Sequence, residues 1–240
     1  MKAFLLAAGL ATRLRPITLN KPKCLVEVCG KPMLYWWIKL LKKHNIKDVI
    51  INVHHHSDQV IQFINKNSND INFTIFHEKE LLGSAGTLKA NYDFVKNEKD
   101  FFIFYADNLT DYNLFEFMEF HKKNKKIFSM SLFKTDIPNE KGIVGLDLNN
   151  TVISFEEKPK NPKSNLANAG IYIAKPEIYN YIPEGLKLDI GFDLLPKLVK
   201  KSSGWISNDF LIDIGTIPQL KHANKIWKNN NLTINKYEKI

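Results

Sequence analysis

An α/β fold built on a mixed, mainly parallel central sheet is the architecture this sequence predicts, and three observations predict it. Short apolar runs alternate with amphipathic helical segments through the first half of the chain. The first run, Ala3 to Ala7, leads straight into a glycine-containing loop, as a buried parallel strand does when it opens on a binding site. A later run, Asp100 to Tyr105, is apolar after its first residue and ends in Ala106, Asp107 and Asn108, where a central strand surfaces.

The elements follow in order. Pro32 to His44 reads as a helix: proline suits its first turn, apolar positions recur at helical spacing, and lysines and a histidine crowd its end. Asp48 to Val53 is a strand, Asp58 to Asn67 a helix and Ile71 to Phe76 a strand. His54, His55 and His56 follow an apolar run with no Cys or carboxylate cluster beside them, so they read as a polar strand end and not as metal ligands. Ala85 to Val95 is a helix, Asp100 to Tyr105 a strand, Leu114 to Lys123 a helix and Phe128 to Phe133 a strand. From Gly142 the texture changes. GIVGLDL, TVISFEE and AGIYIA are separated by Asn, Pro and Lys, which predicts an antiparallel extension covering one side of the site. Phe192 to Lys200 reads as a helix apart from Pro196, Phe210 to Ile212 as a strand, and about Ile217 to Lys228 as the last helix.

The chain's 240 residues suffice for one substantial core, so residues 1–228 are expected to form a single domain and 229–240 a polar C-terminal tail. Thirty-four basic residues against 25 acidic give +9, yet the lysines are scattered, and runs such as Lys122, Lys123, Lys125 and Lys126 read as a solvated helix end. A nucleic-acid footprint needs clustered arginines with exposed aromatics, and this chain has only Arg13 and Arg15. Cys24 and Cys29 cannot alone supply a structural zinc site or a disulfide framework, so reduced thiols are expected. No apolar run approaches the roughly 18 residues of a membrane span, and arginines follow the apolar N-terminal stretch at once, unlike a secretory leader. A cytoplasmic protein without a membrane or nucleic-acid partner is the expectation.

The two arginines sit in LAAGLATRLRPIT, beside Gly9. A planar guanidinium matches two phosphate oxygens at once, which an ammonium cannot do, and glycine lets backbone amides approach a polyphosphate. The loop is neither a Walker loop nor GxGxxG, so by itself it leaves phosphate binding and a tight turn both open. Asp107 stands where ligands bind in open α/β sheets, at the carboxyl end of a strand.

The continuation Pro16, Thr18, Lys21, Pro22, Lys23 makes the pattern specific. LAAGLATRLRPITLNKPKCLVEVCGKPML resembles the opening signature of the sugar-phosphate nucleotidylyltransferases, the enzymes that make NDP-sugars. LLGSAGTL, YADN, FEEKP, NAGIYI and FLIDIGT are similar to the family's later motifs, in order, to about residue 225. With NVHHHSDQV included, the run is most similar to the mannose-1-phosphate guanylyltransferase-like branch. The resemblance implies a Rossmann-like three-layer αβα sandwich of the GT-A-like nucleotidyltransferase type. It implies Arg13, Lys23 and Asp107 as catalytic residues, and Asp107 and Asp213 as carboxylates for Mg²⁺. Leu6, Ala8, Gly9, Thr12, Glu78, Leu82, Gly83 and Gly86 fall on the family's nucleotide contacts, and Gly142, Glu157, Lys158 and Asn168 on its sugar-phosphate contacts. The implied partners are a nucleoside triphosphate and a sugar 1-phosphate of mannose or heptose type, giving an NDP-sugar for bacterial cell-envelope glycans. The chain ends soon after the last motif, so no β-helix acyltransferase domain is expected.

One departure stands out: Ala11 occupies a position where the family usually has glycine, and an ordinary backbone conformation there is expected to make the change harmless. Glu78 falls at the family's base-facing position. An ionised carboxylate offers only acceptors, and guanine presents two adjacent donors where uracil and thymine present one, so GTP is favoured over UTP, CTP and dTTP. A catalytically silent regulatory homologue is the rival reading; it should have lost Arg13, Asp107 or Asp213, and none is lost. Trp36, Trp37 and Trp227 read as core packing before they read as a homodimer contact.

Overall fold

The computed structural model describes the backbone of residues 1–237 and the side chains of residues 1–227. In chain order the elements are β1 (Lys2–Leu6), β2 (Glu27–Val28), β3 (Lys31–Pro32), α1 (Met33–Lys43), β4 (Asp48–Val53), α2 (Ser57–Asn67) and β5 (Asn72–His77). There follow α3 (Ser84–Ala90), α4 (Tyr92–Val95), β6 (Phe101–Tyr105), β7 (Asn108–Thr110), α5 (Leu114–Asn124), β8 (Phe128–Lys134), β9 (Gly142–Leu146), β10 (Val152–Glu157), β11 (Leu166–Ala174), β12 (Ser202–Ile206), β13 (Leu211–Asp213) and α6 (Ile217–Tyr237).

The main sheet runs β10-β9-β11-β6-β1-β4-β5, with β8 joined to β11 and β12 to β8. Strands β6, β1, β4 and β5 are parallel, while β11, β9 and β10 add antiparallel pairings on one side. The mixed sheet with a parallel centre is the predicted one, and the antiparallel extension begins at Gly142 as expected.

Period-two alternation divides the strands between two faces. Ala3 and Leu5 pack with Trp37, Leu41, Ile64 and Phe117 on one side, and Phe4 and Leu6 with Leu88, Val95 and Leu194 on the other. Burying both faces makes a sandwich of three layers. A third cluster of Leu14, Val28, Met33, Ile214, Leu220 and Trp227 fastens α6 beneath the N-terminal loop. The tryptophans serve this packing: Trp37 donates to the carbonyl of Ala106 at 3.1 Å, and Trp36 meets Trp227 edge to face at 5.4 Å.

Three elements depart from expectation. The helix expected over Ala85 to Val95 breaks at Asn91, whose side-chain amide donates to the carbonyl of Thr87 and competes with the helical ladder. The helix expected over Phe192 to Lys200 is instead a π-type turn over Ile190–Leu194 followed by a 3₁₀ stretch over Leu195–Leu198. Pro196 has no N–H and its ring crowds the carbonyl of Phe192, so the backbone widens to a Leu195-to-Ile190 bond and then tightens. The last helix continues through Tyr237, so residues 229–237, expected as a tail, are helical; residues 238–240 lie outside the described residues. Among the described residues no helix is long and apolar enough to cross a membrane.

Candidate active site

The parallel strands β1, β4 and β6 all end at the same edge of the sheet, and their carboxyl ends wall a cavity of about 290 Å³. Of the expected nucleotide positions, Leu6, Ala8, Gly9, Glu78 and Gly83 line it. Leu81 takes the place at the wall expected of Leu82, Gly86 packs behind it against the backbone of Leu186 and Leu188, and Thr12 stands exposed outside it. Lys23, Tyr105, Asp107 and Asp189 complete the rim.

One buried network ties this wall together. Asn52 is 5% exposed; its carbonyl oxygen accepts from the Ala7 amide at 2.6 Å and its amide donates to Glu78 Oε1 at 2.8 Å. Thr87 also donates to Glu78 Oε1 at 2.5 Å, and the Leu82 amide donates to Oε2 at 3.0 Å. The residue after β1, the strand β4, the end of β5 and the helix α3 are thereby tied together through Asn52 and Glu78. A carboxylate has about four acceptor sites. Three are used within the protein, leaving one on Oε2. Nothing in the opening motif pointed to Asn52, although an amide inside the apolar run DVIINV is itself a signal, because a buried polar group must find partners.

The N-terminal loop corrects one expectation. Ala11 lies in the left-handed region at φ 49°, ψ 42°, so its methyl is not harmless; it costs about 1 kcal/mol relative to glycine. The strain is held by two bonds to the Ala11 carbonyl, from the Leu14 amide at 3.0 Å and the Thr18 hydroxyl at 2.9 Å. Leu14, fully buried, anchors the turn and leaves Arg13 on the outer side.

Asp107 and Asp213, separated by more than a hundred positions in sequence, converge. β13 pairs with β7 so that Asp213 stands opposite Asn108, and the Ile214 amide donates to the carbonyl of Asp107 at 3.1 Å. Lys23 donates to Asp107 Oδ2 and its ammonium lies 3.7 Å from Asp213 Oδ1. Gly215 makes room for the group: a β-carbon there would stand 2.9 Å from Asp213 Oδ1 and 3.1 Å from the Arg13 guanidinium.

A larger cavity, about 1440 Å³, opens on the other side of Asp107 and Asp189, which line both. Arg13 and Asp213 face it, and so do the four expected sugar-phosphate positions Gly142, Glu157, Lys158 and Asn168. Glu157 lies across two glycines, its Oε2 only 2.6 Å and 2.8 Å from where β-carbons on Gly142 and Gly191 would stand. Burial raises the Glu157 carboxyl above its ordinary range, Asp189 adds to the rise, and Lys158 and Lys141 oppose it. Asn168 donates to the Tyr172 hydroxyl at 2.7 Å and accepts from the Gly170 amide at 3.1 Å, which sets its side chain at a bulge in β11.

Asp189 is a site residue that sequence reasoning missed. Its Oδ1 accepts from the amides of Gly191 and Phe192, and its Oδ2 from the Ser84 hydroxyl at 2.9 Å. It therefore joins the start of α3, beside the smaller cavity, to the far wall of the larger one. Nothing in LDIGFDLLP marks it, since an aspartate before a helical turn is usually only a cap.

Cys24 borders the smaller cavity and His222 the larger. The Cys24 thiol is pushed up to about 12 by burial, which keeps it protonated. His54 pairs through Nδ1 with the carbonyl of Glu78 at 2.8 Å, as suits a polar strand end. Among the described residues no three His, Cys, Asp or Glu side chains gather into a metal-holding group. Asp107 and Asp213 offer two hard oxygen donors, a set that suits Mg²⁺, which keeps several waters and completes its shell with substrate phosphates.

Known proteins resemble this chain in sequence and fold. Mannose-1-phosphate guanyltransferase 2 of Candida glabrata is 34% identical over 90% of this chain and 61% of its own length. The UTP–glucose-1-phosphate uridylyltransferase of Synechocystis is 32% identical over 93% of this chain and 62% of its own. The chain thus spans about three fifths of the length of these curated relatives. A crystal structure of a candidate glucose-1-phosphate thymidylyltransferase from Bacillus anthracis, in complex with sucrose, superposes with a TM-score of 0.86 at 28% identity, covering 94% of each chain. The profile of the family described as Nucleotidyl transferase matches residues 2–230, and the chain belongs to that family.

Proposed function

We propose that this chain transfers a nucleoside monophosphate from a nucleoside triphosphate, GTP by preference, to a sugar 1-phosphate of mannose or heptose type, releasing pyrophosphate and giving an NDP-sugar for cell-envelope glycans. The observation that carries the reading is the convergence of Asp107, Asp213 and Lys23 at the junction of two cavities. The smaller cavity takes the nucleotide and the larger the sugar phosphate, with residues 1–228 acting as one cytoplasmic catalytic domain.

An oxygen of the sugar phosphate attacks the α-phosphorus in line with the departing pyrophosphate. That oxygen is already anionic, so no side chain need take a proton. The barrier lies in bringing two polyanions together. Arg13 and Lys23 neutralise the triphosphate, Lys158 the sugar phosphate, and the loop through Gly9 fixes the geometry. Asp107 and Asp213 would hold Mg²⁺, which when bound would supply charge neutralisation at the phosphates. Glu157 and Asn168 accept and donate hydrogen bonds to sugar hydroxyls.

GTP is favoured because a curated relative is a guanyltransferase, and the acceptor site left on Glu78 Oε2 can take one of guanine's donors. A second reading, UTP, draws on a specific observation: only one acceptor site of Glu78 remains open, which suits the single N–H of uracil. A matrix of four NTPs against sugar 1-phosphates, scored by pyrophosphate release, decides between them. GTP with mannose or heptose 1-phosphate is expected to exceed every other pair at least about tenfold; UTP or CTP tenfold better than GTP overturns the base assignment. Asp107→Asn is expected to lower metal-dependent release by on the order of a hundredfold or more, and undiminished turnover would remove the basis of the reading.

A further inference from the structure

Lys141 belongs to none of the motifs that mark the site. It precedes β9, and its backbone carbonyl accepts from the Lys158 amide at 3.0 Å, which fixes it beside the end of β10. Its side chain is only 20% exposed, and its ammonium stands 3.7 Å from Asp213 Oδ2, the oxygen not approached by Lys23. The same charge offsets that of Glu157. Lys141 lines the larger cavity and not the smaller, whereas Lys23 lines the smaller and not the larger. Two lysines therefore flank Asp213, one on each side of the junction.

We propose that the Lys141 ammonium binds the phosphate of the acceptor substrate, from the side of Asp213 opposite Lys23. This rests on the reading of the larger cavity as the acceptor side. A phosphate entering between Asp213 and Glu157 meets two carboxylates, and a cation already held between them by the fold removes that repulsion without reorganisation. Lys158 is the more exposed of the pair, in a left-handed backbone conformation and with its ammonium 6.0 Å from the Phe192 ring. The enclosed, better oriented cation is Lys141.

The test compares the whole chain with Lys141→Met, which keeps length and loses charge, and Lys141→Arg, which keeps charge. KM is measured separately for the NTP and for the acceptor that the matrix identifies, and mannose 1-phosphate binding is followed by calorimetry. The expected result for Lys141→Met is an acceptor KM raised at least about tenfold, an NTP KM within twofold, an unchanged melting temperature, and recovery of most acceptor affinity in Lys141→Arg. An acceptor KM within twofold of the parent, or equal rises in both KM values with a lowered melting temperature, overturns the proposal. Absence of turnover by the parent with every pair would instead count against the proposed reaction itself.

Discussion

The two walls of the site are built by different means. The proposed nucleotide side comes from the ends of parallel strands and the loops directly after them, so its residues lie close in sequence to the elements that aim them. The proposed acceptor side is assembled from β9, β10, β11, β13 and the turn at Asp189, segments distant in sequence. The first wall is rigid through buried hydrogen bonds around Glu78. The second is rich in charge and opens into a cavity about five times larger. Under the proposed function the rigid wall suits a triphosphate of fixed shape and the open, charged wall a sugar phosphate.

That contrast can be broken most severely at Gly83. Its φ is +76°, and a β-carbon there would stand 2.3 Å from the carbonyl oxygen of Leu188. The Ala85 and Gly86 amides donate to that same oxygen, so neither backbone can withdraw freely. Gly83→Ala is expected to cost about 3 kcal/mol or more, read as a fall of roughly 6 to 12 °C in Tm for a chain of this size, with nucleotide affinity lost alongside.

On the acceptor side the expected effect is smaller and depends on pH. The folded-state pKa of Glu157 lies above its ordinary 4.5, so folding favours the neutral carboxyl. The stability this provides is complete below pH 4.5 and is lost as pH rises through the folded value. Glu157→Gln, which is neutral throughout, is therefore expected to melt above the parent at pH 8 and together with it at pH 4, while its KM for the acceptor rises. A variant less stable than the parent at pH 8 would show that the charge, not the neutral form, is what the fold favours.

The smallest effect concerns the opening loop. Ala11→Gly relieves left-handed strain of about 1 kcal/mol and gives back part of it as chain entropy. A gain of about 2 °C or less in Tm is expected, with no change in acceptor KM. A loss of stability would mean that the alanine methyl contributes packing that outweighs its backbone.

Most of the fold was legible because its parallel half repeats one pattern: apolar run, loop, amphipathic helix. Asp107 was legible for the same reason, as the first charged residue past the buried strand β6. The turn at Ile190–Leu198 was not, because its shape is set by one proline acting on a carbonyl four residues earlier, which helical periodicity does not register. Nor was the conformation of Ala11, since an alanine carries no sequence mark of a positive φ.

The sequence by itself determined the family, the parallel strands and the candidate phosphate-binding residues, because each of those depends on local spacing and on short motifs in fixed order. Only the tertiary structure decided that Asp213 comes to Asp107, that Asn52, Thr87 and the Leu82 amide occupy most of Glu78, and that Lys141 and Asp189 border the cavities. Those are contacts between segments far apart in the chain, chosen by strand register and burial of polar groups, and neither is written in any one stretch of residues.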